Sequence, residues 1–284
     1  MFKCGIDIGG TYIKIGFFKE DKDFTFKITT PKELELFIPA IKEAILKYHK
    51  LNEIEKYVVS IPGICEQGEI VYAPNTNIEG LKIEKELKKA LENDNILIEN
   101  DANIQALVEA KLANLEDLVL LTLGTGCGGG IILDGKLINK CGYAGEVGHI
   151  KVHFGKNARR CGCGKFGCAE AYVSAKNMVI EYNEKTGKEV SAKRLFVLAK
   201  NGDSLAKKVV NDCARYLAIL IADIVSVVGI KNVRIAGGLS NAGSDLIEPI
   251  RKYYPQYSVR NMENISIDTA ILKGKSGVVA AKYL

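Results

Sequence analysis

The 284-residue chain contains no apolar run long enough to cross a bilayer. Its most apolar long stretch, Tyr216 to Ile230, is too short to span and carries Asp223, so it reads as a buried core helix. The N-terminus also lacks the apolar core of a leader. Lys3 and Asp7 precede Gly9-Gly10 before any such run forms, which predicts a cytoplasmic protein that is not exported. A basic stripe is missing too. Lys and Arg total 39 against 34 Asp and Glu, a net charge of +5. The bases sit among acids, which argues against a nucleic-acid partner, and nothing points to a membrane. No low-complexity linker divides the chain. Neither glycine-rich turn is followed by Gly-Lys-Ser/Thr, which excludes a Walker loop. A strand pattern, not a helix, follows the first glycines, which excludes a Rossmann fingerprint.

What is present is ordinary for a folded protein: 47% apolar and 26% charged residues, enough for two cores. Eight cysteines are distributed unevenly. Cys4, Cys65, Cys127, Cys141 and Cys213 stand alone, whereas Cys161, Cys163 and Cys168 cluster. In a reducing compartment such a cluster reads first as metal-binding and not as disulfides.

Period-two patterns predict strands over Phe2–Ile8, Tyr12–Phe18 and Phe24–Ile28, with the Gly-Gly-Thr connection making an antiparallel pair. Thr30-Pro31-Lys32-Glu33 resembles a capped helix start, with Thr30 as cap. Leu34, Phe37, Ile41, Ile45 and Tyr48 follow on one face, and Pro39 predicts a kink. Further strands are expected at Tyr57–Ile61, Ile96–Glu99, Leu118–Leu123, Ile131–Leu133 and Val233–Ala236. Helices are expected at Ile83–Leu91, Asn103–Leu112, Ser204–Val228 and Lys275–Tyr283. Gly124–Gly130 reads as a loop, Asp134-Gly135 as a hairpin turn, and residues 141–170 as irregular. Ile6–Thr11 and Leu121–Gly126 echo each other, which suggests a duplicated α/β architecture.

Three constellations can carry chemistry. Asp7-Ile8-Gly9-Gly10-Thr11 and Gly124-Thr125-Gly126-Cys127-Gly128-Gly129-Gly130 are either plain hairpin turns or backbone cradles for phosphate. Asp7 at a strand end could orient Mg²⁺ through water. Asn100 and Asp101, between strand and helix, are either caps or, for Asp101, a carboxylate able to take a proton from an attacking hydroxyl. His149, Cys161, Cys163 and Cys168 are either reduced side chains or a closed tetrahedral set for one structural Zn²⁺. Glu146 and Glu170 flank that loop, as surface charges or as acceptors for a polyhydroxylated substrate. On the zinc reading, the metal holds both carboxylates, and the glycine turns lie distant from it.

These residues resemble the ROK family of sugar kinases and repressors, in the actin, Hsp70 and hexokinase superfamily. The motifs occur in order: Asp7–Thr11, Asn100–Asn103, Gly124–Gly130, Gly145-Glu146-Val147-Gly148-His149, and Cys161-Gly162-Cys163-Gly164-Lys165-Phe166-Gly167-Cys168 with Ala169-Glu170-Ala171-Tyr172. Ala236-Gly237-Gly238-Leu239-Ser240 fits the adenosine-side turn. The resemblance implies two RNase H-like (actin-like ATPase) α/β domains facing a central cleft. The smaller would comprise 1–114 plus about 267–284, the larger 115–266 with a zinc-binding loop at 141–170. It implies transfer of the ATP γ-phosphoryl to a hexose, with glucose first and N-acetylglucosamine, N-acetylmannosamine or fructose as alternatives. By that similarity Asp101 is the base, and Gly63, Asn100, Glu146, His149 and Glu170 contact sugar. Asp7, Gly9, Gly10, Thr11, Gly124, Thr125, Gly126, Gly128, Gly129, Gly237 and Gly238 bind the nucleotide, and a homodimer is expected. A repressor of this family carries a helix-turn-helix ahead of the first motif, for which Asp7 leaves no room. Two departures stand out. Tyr12 replaces the Lys common after Gly-Gly-Thr, with the basic residue at Lys14. Pro74–Gly80 lacks the Trp common in glucose-specific members.

Overall fold

The alternating stretches at the start of the chain form the strands their periodicity predicts: β1 (Phe2–Ile8), β2 (Tyr12–Lys19) and β3 (Lys22–Thr29). The computed structural model describes residues 1–20, 22–73, 76–139, 141–272 and 276–284. Two residues of the Trp-less region, Pro74 and Asn75, lie outside it.

After β3, Thr30 does not cap a helix. Its hydroxyl donates to the Gly9 carbonyl at 2.6 Å, a tertiary partner in the β1–β2 turn. α1 (Leu34–Leu46) starts later, with Glu33 at the cap position and no side-chain cap, and Pro39 lies inside it. Phe37, Ile38, Ile41, Ala44 and Ile45 bury its apolar face. Then come β4 (Ile54–Ile61), a small hairpin of β5 (Ile64–Glu66) and β6 (Glu69–Tyr72), α2 (Ile83–Leu91), β7 (Ile96–Asn100) and α3 (Asp101–Ala113). The β5–β6 hairpin has no counterpart in the sequence expectations. α3 begins two residues before its expected start, because the Asn100 side chain caps it.

The second run contains β8 (Leu118–Leu123), β9 (Cys127–Leu133), β10 (Lys136–Leu137), α4 (Glu170–Val173), α5 (Ala175–Thr186), α6 (Ala192–Lys200), α7 (Ser204–Val228), β11 (Asn232–Ala236), α8 (Ser244–Tyr253) and β12 (Ser266–Thr269). α9 (Ser276–Tyr283) follows as the last helix. The expected loop Gly124–Gly130 is shorter than the sequence suggests. Cys127 to Gly130 belong to β9, with Thr122 opposite Gly128 and Leu121 opposite Gly129. Glycine is tolerated in this strand because other chain lies close: Gly129 packs against the Val147 side chain.

The chain divides into two units: Met1–Leu112 with Asn139–Ala144 and Lys275–Leu284, and Ala113–Ile138 with Gly145–Gly274. This differs from the expected return near residue 267, because β12 pairs in parallel with β11 and so extends the second unit's sheet. Among the described residues the main sheet of the first unit runs β3-β2-β1-β4-β7, and that of the second β10-β9-β8-β11-β12. Both have the order third, second, first, fourth, fifth, with an antiparallel meander beside two parallel additions. That shared order, with helices on the sheets, is the α/β architecture of two RNase H-like domains, and it gives the weak sequence echo a structural meaning. Each unit has its own core. The first gathers Ile6, Ile13, Phe17, Phe37 and Ile41; the second packs Leu217, Ile221 and Val225 of α7 near Val119 and Leu121. Among the described residues no helix is long and apolar enough to cross a membrane.

Candidate active site

In the first unit the β1–β2 turn is held by backbone and one hydroxyl. The Gly9 amide donates to the Tyr12 carbonyl at 3.1 Å, and the Thr30 amide donates to the Thr11 carbonyl at 3.1 Å. Gly10 and Thr11 remain exposed. Asp7, next to last in β1, pairs with Lys14 across the strands at 2.9 Å. Gly277 of α9 packs against the Asp7 carboxylate. Lys14 is therefore already engaged, by an ion pair of the exposed kind that contributes about 0–1 kcal/mol.

The second element of this unit is the step from β7 into α3. Asn100 Oδ1 accepts from the Ala102 amide at 2.8 Å, the N-cap bond that explains where the helix starts. Its Nδ2 donates to the Gly63 carbonyl at 2.8 Å. Asp101 is exposed on the first turn, and its Oδ1 also accepts from the Ala102 amide, at 2.8 Å. Both side chains accept from the Ala102 amide, and Asp101 stands at the helix start with its carboxylate at the surface. Gly63, two residues past the end of β4 in sequence, has φ +118°, and a Cβ there would stand 2.0 Å from the Tyr72 carbonyl oxygen. Gly63→Ala is accordingly expected to lower stability by about 1–3 kcal/mol in urea unfolding. An unchanged midpoint would mean that the β5–β6 hairpin shifts without cost.

In the second unit the β8–β9 turn closes through the Gly124 amide, which donates to the Gly126 carbonyl at 3.0 Å. Thr125 is exposed at its tip. Glu170, at the start of α4, reaches under this turn: its Oε2 accepts from the Cys127 amide at 3.1 Å. Its Oε1 accepts from Cys161 Sγ at 3.4 Å. The glycine turn and the cysteine loop are thus joined by one carboxylate, which corrects the expectation that they lie apart. Glu146 lies 3.8 Å from His149 Nε2. Burial pushes the Glu146 carboxyl above the ordinary carboxylate range; His149 opposes that rise and Glu170 adds to it.

His149 Nδ1 points the other way, 3.7 Å from Cys161 Sγ, and Cys163 and Cys168 Sγ are also 3.7 Å apart. The four candidate ligand atoms lie within 4.8 Å of one another. Sulfur ligands about 2.3 Å from a tetrahedral zinc stand about 3.8 Å apart, so the donor set and its spacing fit the metal. Lys151 Nζ, 2.7 Å from Cys168 Sγ, supplies a cation against thiolate charge. The loop folds through two isolated bridges, Lys151 to Cys168 and Arg160 to Phe166. Cys161 and Cys168 are buried and Cys163 is exposed.

Gly237 and Gly238 follow β11, and Gly238 lines a cavity of about 540 Å³ within the second unit. Phe196, Val197 and Leu239 give it apolar walls, and Lys193, Lys200 and Asp245 give it charge. The volume and the mixed lining suit a flat heterocycle with a polar tail.

A sequence model of the ROK family matches residues 3–284. The chain belongs to the ROK family. Among its relatives, a glucokinase of Halalkalibacterium halodurans is 30% identical over 99% of this chain and 93% of its own. An N-acetyl-D-glucosamine kinase of Citrobacter koseri is 32% identical over 84% of each. The crystal structure of a ROK glucokinase from Streptomyces griseus with glucose and AMPPNP matches at TM-score 0.77 and 28% identity, covering 99% of this chain and 98% of that one. The fold is therefore the actin-like ATPase fold of ROK sugar kinases.

Within this ROK chain the structure brings Gly63 to Asn100, and Glu170 to both the β8–β9 turn and the zinc-type cluster. Of the lining of the 540 Å³ cavity, the sequence expectations include Gly238 and Leu239 but not the residues of α6 and α8. A signal existed: Ser191 caps α6 by accepting from the Arg194 amide, and Leu195, Phe196 and Ala199 form its buried face. The expectations also miss Glu99 and Asn139, which no local pattern marks.

Proposed function

We propose that this ROK chain transfers the γ-phosphoryl group of ATP to a hydroxyl of a hexose, with glucose and its 6-hydroxyl as the leading acceptor. The observation that carries the reading is Asp101: an exposed carboxylate on the first turn of α3, beside an Asn100 tied to Gly63. Asp101 accepts the hydroxyl proton as the sugar oxygen bonds to the γ-phosphorus, and the bond to the β–γ bridging oxygen breaks to release ADP. Asn100, Glu146, His149 and Glu170 hold the sugar hydroxyls. His149 Nε2 is suited to this because Nδ1 is turned to the cysteines. Backbone amides of the two glycine turns, with Thr11 and Thr125, bind phosphate oxygens. The cavity beside Gly237 and Gly238 takes the adenosine.

Mg²⁺ bound with ATP would neutralise phosphate charge. The single carboxylate of Asp7 fits an ion held mostly by water and phosphate oxygens. Zn²⁺ at His149, Cys161, Cys163 and Cys168 would be structural, since four protein ligands leave no open position. A specific observation keeps a second acceptor in view: the curated relatives divide between glucokinases and N-acetyl-D-glucosamine kinases. Coupled ADP release with glucose, mannose, fructose, N-acetylglucosamine and N-acetylmannosamine tests both. Glucose is expected to give the highest kcat/KM. A higher value for an N-acetylhexosamine would move the assignment to that sugar, and no sugar-dependent ADP release would remove the kinase reading.

A further inference from the structure

Glu99 and Asn139 stand 40 residues apart in the chain and meet side chain to side chain. Asn139 Nδ2 donates to both carboxylate oxygens of Glu99, at 3.0 and 2.7 Å. Glu99 Oε2 also accepts from Asn103 Nδ2 at 3.2 Å. Glu99 lies two residues before Asp101 and Asn103 two residues after it, so one carboxylate grips both flanks of the turn that carries Asp101. Asn100, between them, is fixed to the Gly63 carbonyl.

The partner segment is itself anchored. Residues 139–144 belong to the first unit although the chain on either side belongs to the second. Gly142 rests against the Cys65 carbonyl and the Ile64 side chain, which follow Gly63 directly. Asn139 thus holds Glu99, Gly142 rests beside Ile64 and Cys65, and the neighbouring Gly63 carbonyl holds Asn100. These contacts fix the two residues that immediately precede Asp101 in the chain, and with them the backbone of the step that carries it.

We propose that the Glu99–Asn139 pair positions Asp101 for proton transfer, a role that rests on Asp101 being the base. Both residues are positioning residues, acting on the reaction through the geometry of the β7–α3 step. Misplacement of a reacting group by about 1 Å can cost about a hundredfold in rate, so partial loosening is expected to cost about tenfold.

The test uses the full chain with the best sugar of the panel above. Glu99→Gln and Asn139→Asp are each expected to lower kcat by about tenfold, with KM for sugar and for ATP changed less than threefold. Asn139→Asp sets two carboxylates against each other, and Glu99→Gln removes one acceptor. The double variant Glu99→Gln with Asn139→Asp exchanges donor and acceptor: the amide introduced at position 99 donates to the carboxylate introduced at position 139, and the amide oxygen still accepts from Asn103. Recovery of kcat to within about threefold of the parent supports the proposal, because independent sites would multiply their losses. Multiplied losses in the double variant, or single variants with a lowered melting temperature and parental kcat, overturn it. Asp101→Asn separates the two readings. If that variant keeps turnover, the base assignment itself fails. If it is slow while both pair variants turn over normally, only the positioning role fails.

Discussion

Asp101→Asn is expected to lower kcat by about a hundredfold or more while sugar affinity stays within a few-fold, the size of effect that removal of a general base produces. The structure makes this substitution a clean one. Asp101 Oδ1 accepts from the Ala102 amide, and an amide oxygen in the same place can keep that bond. The N-cap of α3 comes from Asn100, whose Oδ1 bonds the same amide, so the helix does not depend on Asp101 for its start. The side chain is exposed, so the change opens no cavity. The substitution also removes the carboxylate's ability to accept a proton. Steady-state ADP release and thermal unfolding, measured on the same preparation, check the prediction. A variant with near-parental turnover would reduce Asp101 to a partner of the helix N-terminus.

The second large effect concerns the cysteine loop. The parent chain is expected to carry one Zn²⁺, and Cys163→Ser to carry almost none. Cys163 is the informative ligand to change because it is exposed, whereas Cys161 and Cys168 are buried and their replacement would also disturb packing. Residues 141–170 contain few large apolar side chains, and burial alone cannot offset the entropy of ordering them. A structural zinc contributes on the order of 10 kcal/mol to folding in small peptides. Loss of the metal should therefore loosen His149 and the loop from Cys161 to Cys168 that leads directly into Glu170. Sugar KM is expected to rise by about tenfold or more. Because Glu170 also accepts from the Cys127 amide, ATP KM should rise as well, by a smaller factor. Metal analysis of freshly purified protein and the two KM values decide the matter. A parent chain without zinc, or a zinc-free variant with parental sugar KM, would break the link between metal and substrate.

The parts of this molecule that were legible in the sequence are those whose cause is local. α2 and α7 occupy the expected spans, because their apolar spacing runs uninterrupted between turn signals. β1 and β2 follow their alternation, and the four-residue metal-type cluster follows from residue chemistry alone. Thr30 was misread because a hydroxyl before Pro-Lys-Glu looks like a cap, and only the folded chain brings the Gly9 carbonyl to it. Gly128–Gly130 was misread for the opposite reason. Glycine normally breaks a strand, but these glycines pair with β8, and at Gly129 the Val147 side chain leaves no room for a larger residue. The pairing of Glu99 with Asn139 spans 40 residues and has no local signature. Of the candidate site, the grouping of His149 with the three cysteines was readable, and the long-range supports were not.

The position of α9 sets the timetable of assembly. This helix lies on the first unit's sheet, its backbone against Gly5 and its first turn against Asp7, yet it is made after the whole second unit. About 160 residues, nearly all of the second unit, are synthesised between α3 and α9. At about 5–20 residues per second, the ribosome leaves that face of β1 and β4 uncovered for about 8–30 s. The second unit, continuous apart from the short excursion at 139–144, can complete itself on the growing chain. The first waits for α9 before Asp7 and the β1–β2 turn beside it have their permanent neighbour, so the half that begins first is the half that matures second.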